Sequence, residues 1–153
     1  MAVIERRANI LWTGNLKGTG QLSVASGAFS VQEMTFDART GSPAGRTSPE
    51  ELIAAAHATC FAMAFSNTLA TNGAAPERLD VTATCTLERT PSGLRITTMD
   101  LLVRGHVAQV DDAQFAELAR VAESKCPVSN ALRGNVDITV RAELAPADVQ
   151  AAS

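Results

Sequence analysis

A helix start signal and a long apolar run occupy residues 48–73, which read SPEELIAAAHATCFAMAFSNTLATNG. Ser48 is a favourable N-cap, Pro49 suits the first helical position, and Glu51 completes a capping box three residues after the cap. We expect the helix to run to about Thr71, where an Asn-Gly pair gives a stop signal. Because apolar residues cover almost its whole circumference, we expect the helix to be buried on several sides, across a subunit interface.

Strand patterns lie on both sides of this helix. The segment before it predicts three short strands and a Gly/Pro-rich loop, at residues 8–13, 21–24, 29–31 and 37–47. The segment after it predicts two long strands, a helix that Pro127 ends, a short helix and a last strand, at residues 79–87, 94–107, 111–126, 127–133 and 136–144. This order predicts an α+β fold. We expect a single domain over residues 1–153, with a frayed tail at 145–153.

Length, charge and apolar content limit the function classes. The chain has 153 residues, a net charge of −3 and a pI near 5.3, which argues against a nucleic-acid binder and against attraction to anionic membranes. The N-terminus shows no signal-peptide pattern, and the apolar stretch at residues 52–65 is shorter than the roughly 20 residues that cross a bilayer. We expect a soluble, cytoplasmic protein.

Three cysteines are the candidate reactive groups. The chain is too large to need a disulfide framework, so in a reducing compartment its cysteines are buried, catalytic or redox-active. With only two histidines and no CxxC or HExxH motif, a zinc site is not expected. Cys85 lies on the apolar face of a strand and is interpreted as a core residue.

The other two cysteines have opposite local environments. Cys126 precedes Pro127 at a helix start, where backbone N–H groups favour a thiolate. Cys60 lies in the middle of the apolar helix, where burial raises a thiol pKa, so from the residues alone an inert thiol is favoured. To react at neutral pH, Cys60 needs a nearby cation, and Arg39, Arg46 and His57 are the candidates.

Two cysteine motifs resemble those of the OsmC/Ohr family, named for osmotically inducible protein C and organic hydroperoxide resistance proteins. Residues 48–61 resemble the family's NPEELxxAAHAACF segment, and residues 126–129 (CPVS) resemble its second-cysteine motif in the OsmC branch. Residues 35–39 (TFDAR) lie where that branch carries an arginine loop. The likeness extends over about residues 5–144.

This resemblance implies a fold and an activity. The family fold is an intertwined α+β homodimer, with antiparallel sheets packed around a long cysteine-bearing helix and active sites at the subunit interface. The implied activity is a thiol-dependent peroxidase that reduces organic hydroperoxides in oxidative stress defence. Cys60 would be the peroxidatic cysteine and Cys126 the resolving one, and a lipoyl-type dithiol would reopen their disulfide. No metal, haem, selenium or flavin cofactor is implied.

The resemblance also assigns two charged residues. Arg39 matches the arginine that stabilises the thiolate and the peroxide, and Glu50 matches the carboxylate that orients it. A one-residue difference in loop length leaves Arg46 as the alternative arginine. Glu50 and Cys60 are ten residues apart, or about 15 Å along a continuous helix. We therefore expect Arg39 to bridge that gap, or the partner subunit to contribute part of the site, as in an obligate dimer.

Two other functions fit the same residues. A non-catalytic dimer could bind apolar ligands in its interface, and both cysteines would then be replaceable. A redox sensor could use the cysteine pair for signalling, with reversible disulfide formation and slow turnover.

Overall fold

The computed structural model describes residues 2–146. Contacts group the chain into two compact units, the first ending at Leu52 and the second beginning at Ile53. A single domain stays a prediction. Most of the predicted tail, residues 147–153, lies outside the described residues.

The first unit contains a three-stranded antiparallel sheet. Its strands are β1 (Ala8–Thr13), β2 (Thr19–Val24) and β3 (Gln32–Thr35), in that spatial order. The strand predicted at residues 29–31 is wrong, because the apolar Phe29 and Val31 are exposed. The pairing edge of β2 is instead occupied by β3, whose Met34 is buried.

A short helix, α1 (Phe36–Thr40), begins one residue before the loop predicted at residues 37–47 and replaces its first four residues. The Thr35 hydroxyl caps it by accepting a hydrogen bond from the Ala38 amide at 3.2 Å. Arg39 lies in the last turn of α1, where a basic side chain interacts favourably with the helix dipole.

Helix α2 (Pro49–Thr71) has the predicted bounds. Ser48 caps its start, since the Ser48 Oγ accepts a hydrogen bond from the Glu51 amide at 3.1 Å. By length and composition α2 is apolar enough to cross a membrane, in contrast to the expectation from residues 52–65. One such helix is weak evidence for a span. Because Phe61, Phe65 and Leu69 are fully buried in the core of the second unit, α2 is interpreted as a core helix.

The second unit packs two helices against a three-stranded sheet. The sheet contains β4 (Arg78–Thr90), β5 (Gly93–His106) and β6 (Asp137–Leu144), and the helices are α3 (Asp112–Lys125) and α4 (Pro127–Leu132). Strands β4 and β5 form an antiparallel hairpin, but β6 pairs with β5 in parallel. The prediction of antiparallel sheets is therefore wrong for β6. Helices α3 and α4 return the chain to the end of the sheet at which β5 begins, so that β6 runs parallel to β5.

Aromatic side chains hold α2 against α3. The ring centroid of Phe65 lies 5.6 Å from that of Phe61 and 4.9 Å from that of Phe115. On β5, Gly105 leaves room for this cluster, since a Cβ at that position would lie 2.5 Å from Phe115 Cζ. This core fixes the middle of α2, which carries Cys60, against the elements that carry Cys126.

Candidate active site

Two reduced cysteines meet in the second unit. Cys60 is a half-buried thiol in the middle of α2, and Cys126 is a fully buried thiol at the junction between α3 and α4. Cys60 packs against the buried cluster that contains Cys126, and Cys126 lies close enough to raise the pKa of the Cys60 thiol. The sequence places these cysteines 66 residues apart, and the fold brings their sulfur atoms together.

The surroundings of Cys60 favour its protonated form. Burial raises the pKa of the Cys60 thiol, and the neighbouring Cys126 raises it further. The backbone N–H of Val128 donates a hydrogen bond to the Cys60 sulfur and lowers that pKa in part. Within its own unit, therefore, the Cys60 environment does not by itself yield a thiolate at neutral pH.

His57 does not supply the missing cation. Its side chain is fully buried, and its Nε2 atom is 2.7 Å from the Ser129 Oγ, which is also fully buried. Burial lowers the pKa of His57, and the nearby Glu123 offsets this only in part. His57 is therefore neutral near pH 7, and its hydrogen bond joins α2 to α4.

An arginine–carboxylate pair forms in the first unit. The Nε and Nη2 atoms of Arg39 both donate to the Oε1 atom of Glu50, at 2.8 and 2.6 Å. Glu50 is 6% exposed, and the Arg39 side chain is 31% exposed. The Arg39 side chain is therefore partly accessible to solvent, while the carboxylate fixes its orientation.

The alternative arginine has a different partner. Arg46 donates to the Oε1 atom of Glu33 at 2.8 Å, and both side chains are exposed. Exposed pairs of this kind contribute little to stability. Of the two arginines, Arg39 has the buried carboxylate partner that the resemblance predicts, although its catalytic role stays a prediction.

A shallow apolar pocket of about 250 Å³ lies beside Arg39 in the first unit. Its walls come from β1, β3 and the segments around α1 and the start of α2; they include Trp12, Met34, Phe36 and Pro49. A guanidinium beside an apolar wall can bind a polar group that carries a hydrocarbon chain.

Metal ions in proteins are bound by groups of histidine, cysteine and acidic side chains. Within residues 2–146, no group of three or more histidine, cysteine or acidic side chains could hold a metal ion.

The sequence alone does not predict the contacts of Val128 and Ser129. Both residues belong to the quoted CPVS segment, but their partners lie on α2. The helix start at Pro127 was the available signal, because the first turn of a helix presents backbone N–H groups.

Comparisons with known proteins give a consistent result. Residues 41–141 match the family model described as OsmC-like protein. Peroxiredoxin OsmC of Escherichia coli (strain K12) is 35% identical over 136 residues, which cover 88% of this chain and 94% of that protein. The organic hydroperoxide resistance protein of Xanthomonas axonopodis pv. citri is 30% identical over 139 residues, covering 86% and 94%.

A solved structure also matches. The organic hydroperoxide resistance protein OhrB of Bacillus subtilis superposes with a TM-score of 0.74 at 25% identity, covering 94% of this chain and 100% of that one. The α+β arrangement of two small sheets and a long helix is therefore shared with a solved protein of this kind.

Proposed function

This chain belongs to the OsmC/Ohr family, and from that membership we propose that it is a thiol-dependent peroxidase that reduces organic hydroperoxides in oxidative stress defence. The observation that carries the proposal is the proximity of Cys60 and Cys126, two reduced cysteines packed into one buried cluster. Two thiols in contact can exchange two electrons with a peroxide and store the oxidised state as a disulfide. Relatives named as a peroxiredoxin and as organic hydroperoxide resistance proteins support this chemistry.

The first step breaks the O–O bond of the peroxide. The Cys60 thiolate attacks the terminal oxygen of ROOH, the leaving alkoxide takes up a proton as ROH, and Cys60 becomes a sulfenic acid. The Cys60 pKa, raised by burial, opposes this step unless a cation stabilises the thiolate. We assign that role to Arg39, which would also bind a peroxide oxygen, and we assign Glu50 the orientation of Arg39.

The second step forms the disulfide. The Cys126 sulfur attacks the sulfenic sulfur of Cys60, a Cys60–Cys126 bond forms, and the hydroxyl group leaves as water with the thiol proton. A dithiol of the lipoyl type would then reduce the disulfide by two exchange steps, leaving itself oxidised. The burial of Cys126 supports an intramolecular role, because a fully buried thiol is poorly available to other molecules.

An organic substrate fits the surface beside Arg39 better than hydrogen peroxide does. The pocket there has mainly apolar walls, including Trp12 and Phe36. Burying a hydrocarbon chain against such walls adds binding free energy of roughly 25 cal/mol per Å². We therefore expect a preference for hydroperoxides with a hydrocarbon group.

A homodimer is part of the proposal. Met63 on α2 is 69% exposed, and Ile10 and Leu11 on β1 are half or more exposed. Ala55 and Ala56 on α2 are exposed as well, so each unit presents apolar side chains of a kind that a partner would cover. A second copy of the chain, in a soluble cytoplasmic dimer, would cover them and could complete the site.

Steady-state consumption of cumene hydroperoxide with dihydrolipoamide as the reductant tests the function. We expect Cys60→Ser to abolish turnover. Cys126→Ser should allow one turnover before Cys60 is overoxidised, and the matched control Cys85→Ser should stay within about twofold of wild type. Full turnover by Cys60→Ser would overturn the proposal.

One observation favours a non-catalytic alternative. The apolar pocket beside Arg39 could hold an apolar ligand without any reaction, and the raised pKa of Cys60 would suit an inert thiol. In that case the double variant Cys60→Ser/Cys126→Ser would keep the biological function. A redox sensor would instead form the disulfide but turn over slowly.

A further inference from the structure

Two segments that are distant in the sequence are joined at two neighbouring positions. On α2, His57 precedes Cys60 by three residues; on α4, Ser129 follows Cys126 by three residues. His57 is hydrogen-bonded to Ser129, and Cys60 lies beside Cys126 in the buried cluster. The segments therefore run in opposite directions, and the His57–Ser129 contact lies about one helical turn from the sulfur pair.

The His57–Ser129 hydrogen bond is isolated from water. Both side chains are fully buried, and the Nδ1 atom of His57 has no hydrogen-bond partner among the described residues. Nε2 is thus the ring atom through which His57 is held. A buried hydrogen bond that is broken leaves a desolvated polar group, so this contact resists separation of the two segments.

A restraint on the distance between the two segments matters because a disulfide forms only over a narrow range of distances. The Cα atoms of two bonded cysteines must lie about 4.4–6.8 Å apart, and deviations store strain. Cys126 sits between the end of α3 and the start of α4, with no side-chain cap hydrogen bond of its own. Cys126 is fully buried in the core cluster, and its carbonyl accepts a hydrogen bond from the Asn130 amide at 3.0 Å in the first turn of α4. The contacts of that turn, in which the Ser129 side chain is fully buried, therefore contribute to the position of the Cys126 sulfur.

We propose that the His57–Ser129 hydrogen bond positions Cys126 for the second step of the reaction, so that the Cys60 sulfenic acid is converted to a disulfide before a second peroxide oxidises it. The inference rests on the proposed peroxidase function. His57 and Ser129 are positioning residues and do not touch the peroxide. Their loss slows the attack of Cys126 on Cys60 and leaves the first oxidation step almost unchanged.

The variants separate this role from simple packing. Ser129→Ala removes the hydroxyl, while Ser129→Thr keeps one. His57→Leu removes the ring nitrogens, while His57→Gln places a polar group near the position of Nε2. Thr68→Val is the matched control, because Thr68 is a buried hydroxyl on α2 that donates to the carbonyl of Ala64, away from the cysteines.

Rapid mixing with cumene hydroperoxide measures the two steps separately, and mass spectrometry counts sulfinic acid at Cys60. We expect Ser129→Ala and His57→Leu to lower the rate of disulfide formation roughly tenfold, as for a lost buried hydrogen bond, and to leave the rate of first oxidation within about twofold. Sulfinic acid should then accumulate at lower peroxide concentrations. Ser129→Thr should restore resolution, and Thr68→Val should resemble wild type.

A redox titration in mixtures of reduced and oxidised dithiothreitol supplies a second readout that needs no peroxide. Ser129→Ala should lower the equilibrium constant for the Cys60–Cys126 disulfide roughly tenfold relative to wild type. If wild type reacts with the peroxide but Ser129→Ala matches it in both assays, the positioning role is wrong. If Thr68→Val shows the same losses, the effect is general destabilisation and the role is also wrong. If wild type forms the disulfide in dithiothreitol but not with peroxide, the failure belongs to the proposed function.

Discussion

Arg39 donates two hydrogen bonds to a single oxygen of Glu50, at 2.8 and 2.6 Å, and the second oxygen of that carboxylate is buried with no partner among the described residues. The pair is therefore bifurcated at one oxygen and leaves one buried acceptor unused. A donor group of a substrate or of a partner chain could satisfy that acceptor. Substitutions of Arg39 and Glu50 therefore test the roles that we propose for them.

Replacing Arg39 should affect activity far more than replacing Arg46. Arg39→Ala removes the cation assigned to the Cys60 thiolate, so we expect the kcat/KM for cumene hydroperoxide to fall about 10²-fold, as for loss of one electrostatic stabiliser. Arg46→Ala breaks only an exposed pair with Glu33 and should leave kcat/KM within about twofold. Equal losses in the two variants would contradict the assignment.

The proposed action of Arg39 on the Cys60 thiolate also predicts how the reactivity of that thiol depends on pH. Burial raises the pKa of Cys60, and Arg39 is proposed to oppose that increase. The pH profile for alkylation of Cys60 by iodoacetamide should therefore move to higher pH in Arg39→Ala. An unchanged profile would mean that Arg39 does not act on the thiol.

Two adjacent acidic residues provide a matched comparison. Glu50 is buried and paired with Arg39, whereas Glu51 is exposed in the same helical turn. Glu50→Gln should lower peroxidase activity about tenfold and the free energy of unfolding in urea by about 1–2 kcal/mol, because it removes one side of a partly buried ion pair. Glu51→Gln should change neither quantity appreciably. Wild-type activity in Glu50→Gln would remove Glu50 from the site.

His57 predicts the sign of an acid effect on stability. Burial lowers its pKa, so as the pH falls below about 6.5 the unfolded chain takes up a proton more readily than the folded protein. The contribution of His57 to stability is therefore present above pH 6.5 and is lost as the pH falls below it. Glu123, the acidic group near His57, only reduces the size of this effect.

Urea unfolding at pH 7.5, 6.5 and 5.5 measures that contribution. The loss of stability at low pH should be smaller in His57→Gln than in wild type. If both proteins lose stability in parallel, His57 does not carry the effect.

The proposed dimer can be tested at the exposed face of α2. Met63→Asp places a charge on that face, which should shift sedimentation at micromolar concentration from dimer to monomer. Leu94→Asp is the control, because Leu94 is an exposed apolar residue in the β4–β5 hairpin. A wild-type protein that sediments as an active monomer would contradict the dimer.

Local signals predicted some elements well and failed for others. The bounds of α2 follow from Ser48 at one end and an Asn-Gly pair at the other, because capping depends on neighbouring residues. The local pattern predicts the third strand at residues 29–31, but pairing with β2 selects the segment Gln32–Thr35. Strand pairing depends on distant partners, so a local pattern cannot decide it.

In the candidate site, too, some features follow from local sequence signals and others depend on distant partners. The residue types alone favour an inert Cys60 and make Cys126 the more acidic thiol, with Cys60 only a weak candidate for its partner. The resemblance to a known family assigns the two cysteines as a reacting pair. The His57–Ser129 contact spans 72 residues, so it follows from the packing of α2 against α4 and not from a local pattern. The sequence and the resemblance therefore predict which groups react, and the fold adds the His57–Ser129 contact beside them.

The most direct test of the account counts thiols under denaturing conditions before and after one equivalent of cumene hydroperoxide. The reduced chain carries three thiols. We predict the loss of two, with Cys60 and Cys126 recovered as one disulfide-linked peptide and Cys85 still available for labelling. Three thiols remaining after peroxide, or a disulfide that includes Cys85, would contradict the central claim that Cys60 and Cys126 form a peroxide-reducing pair.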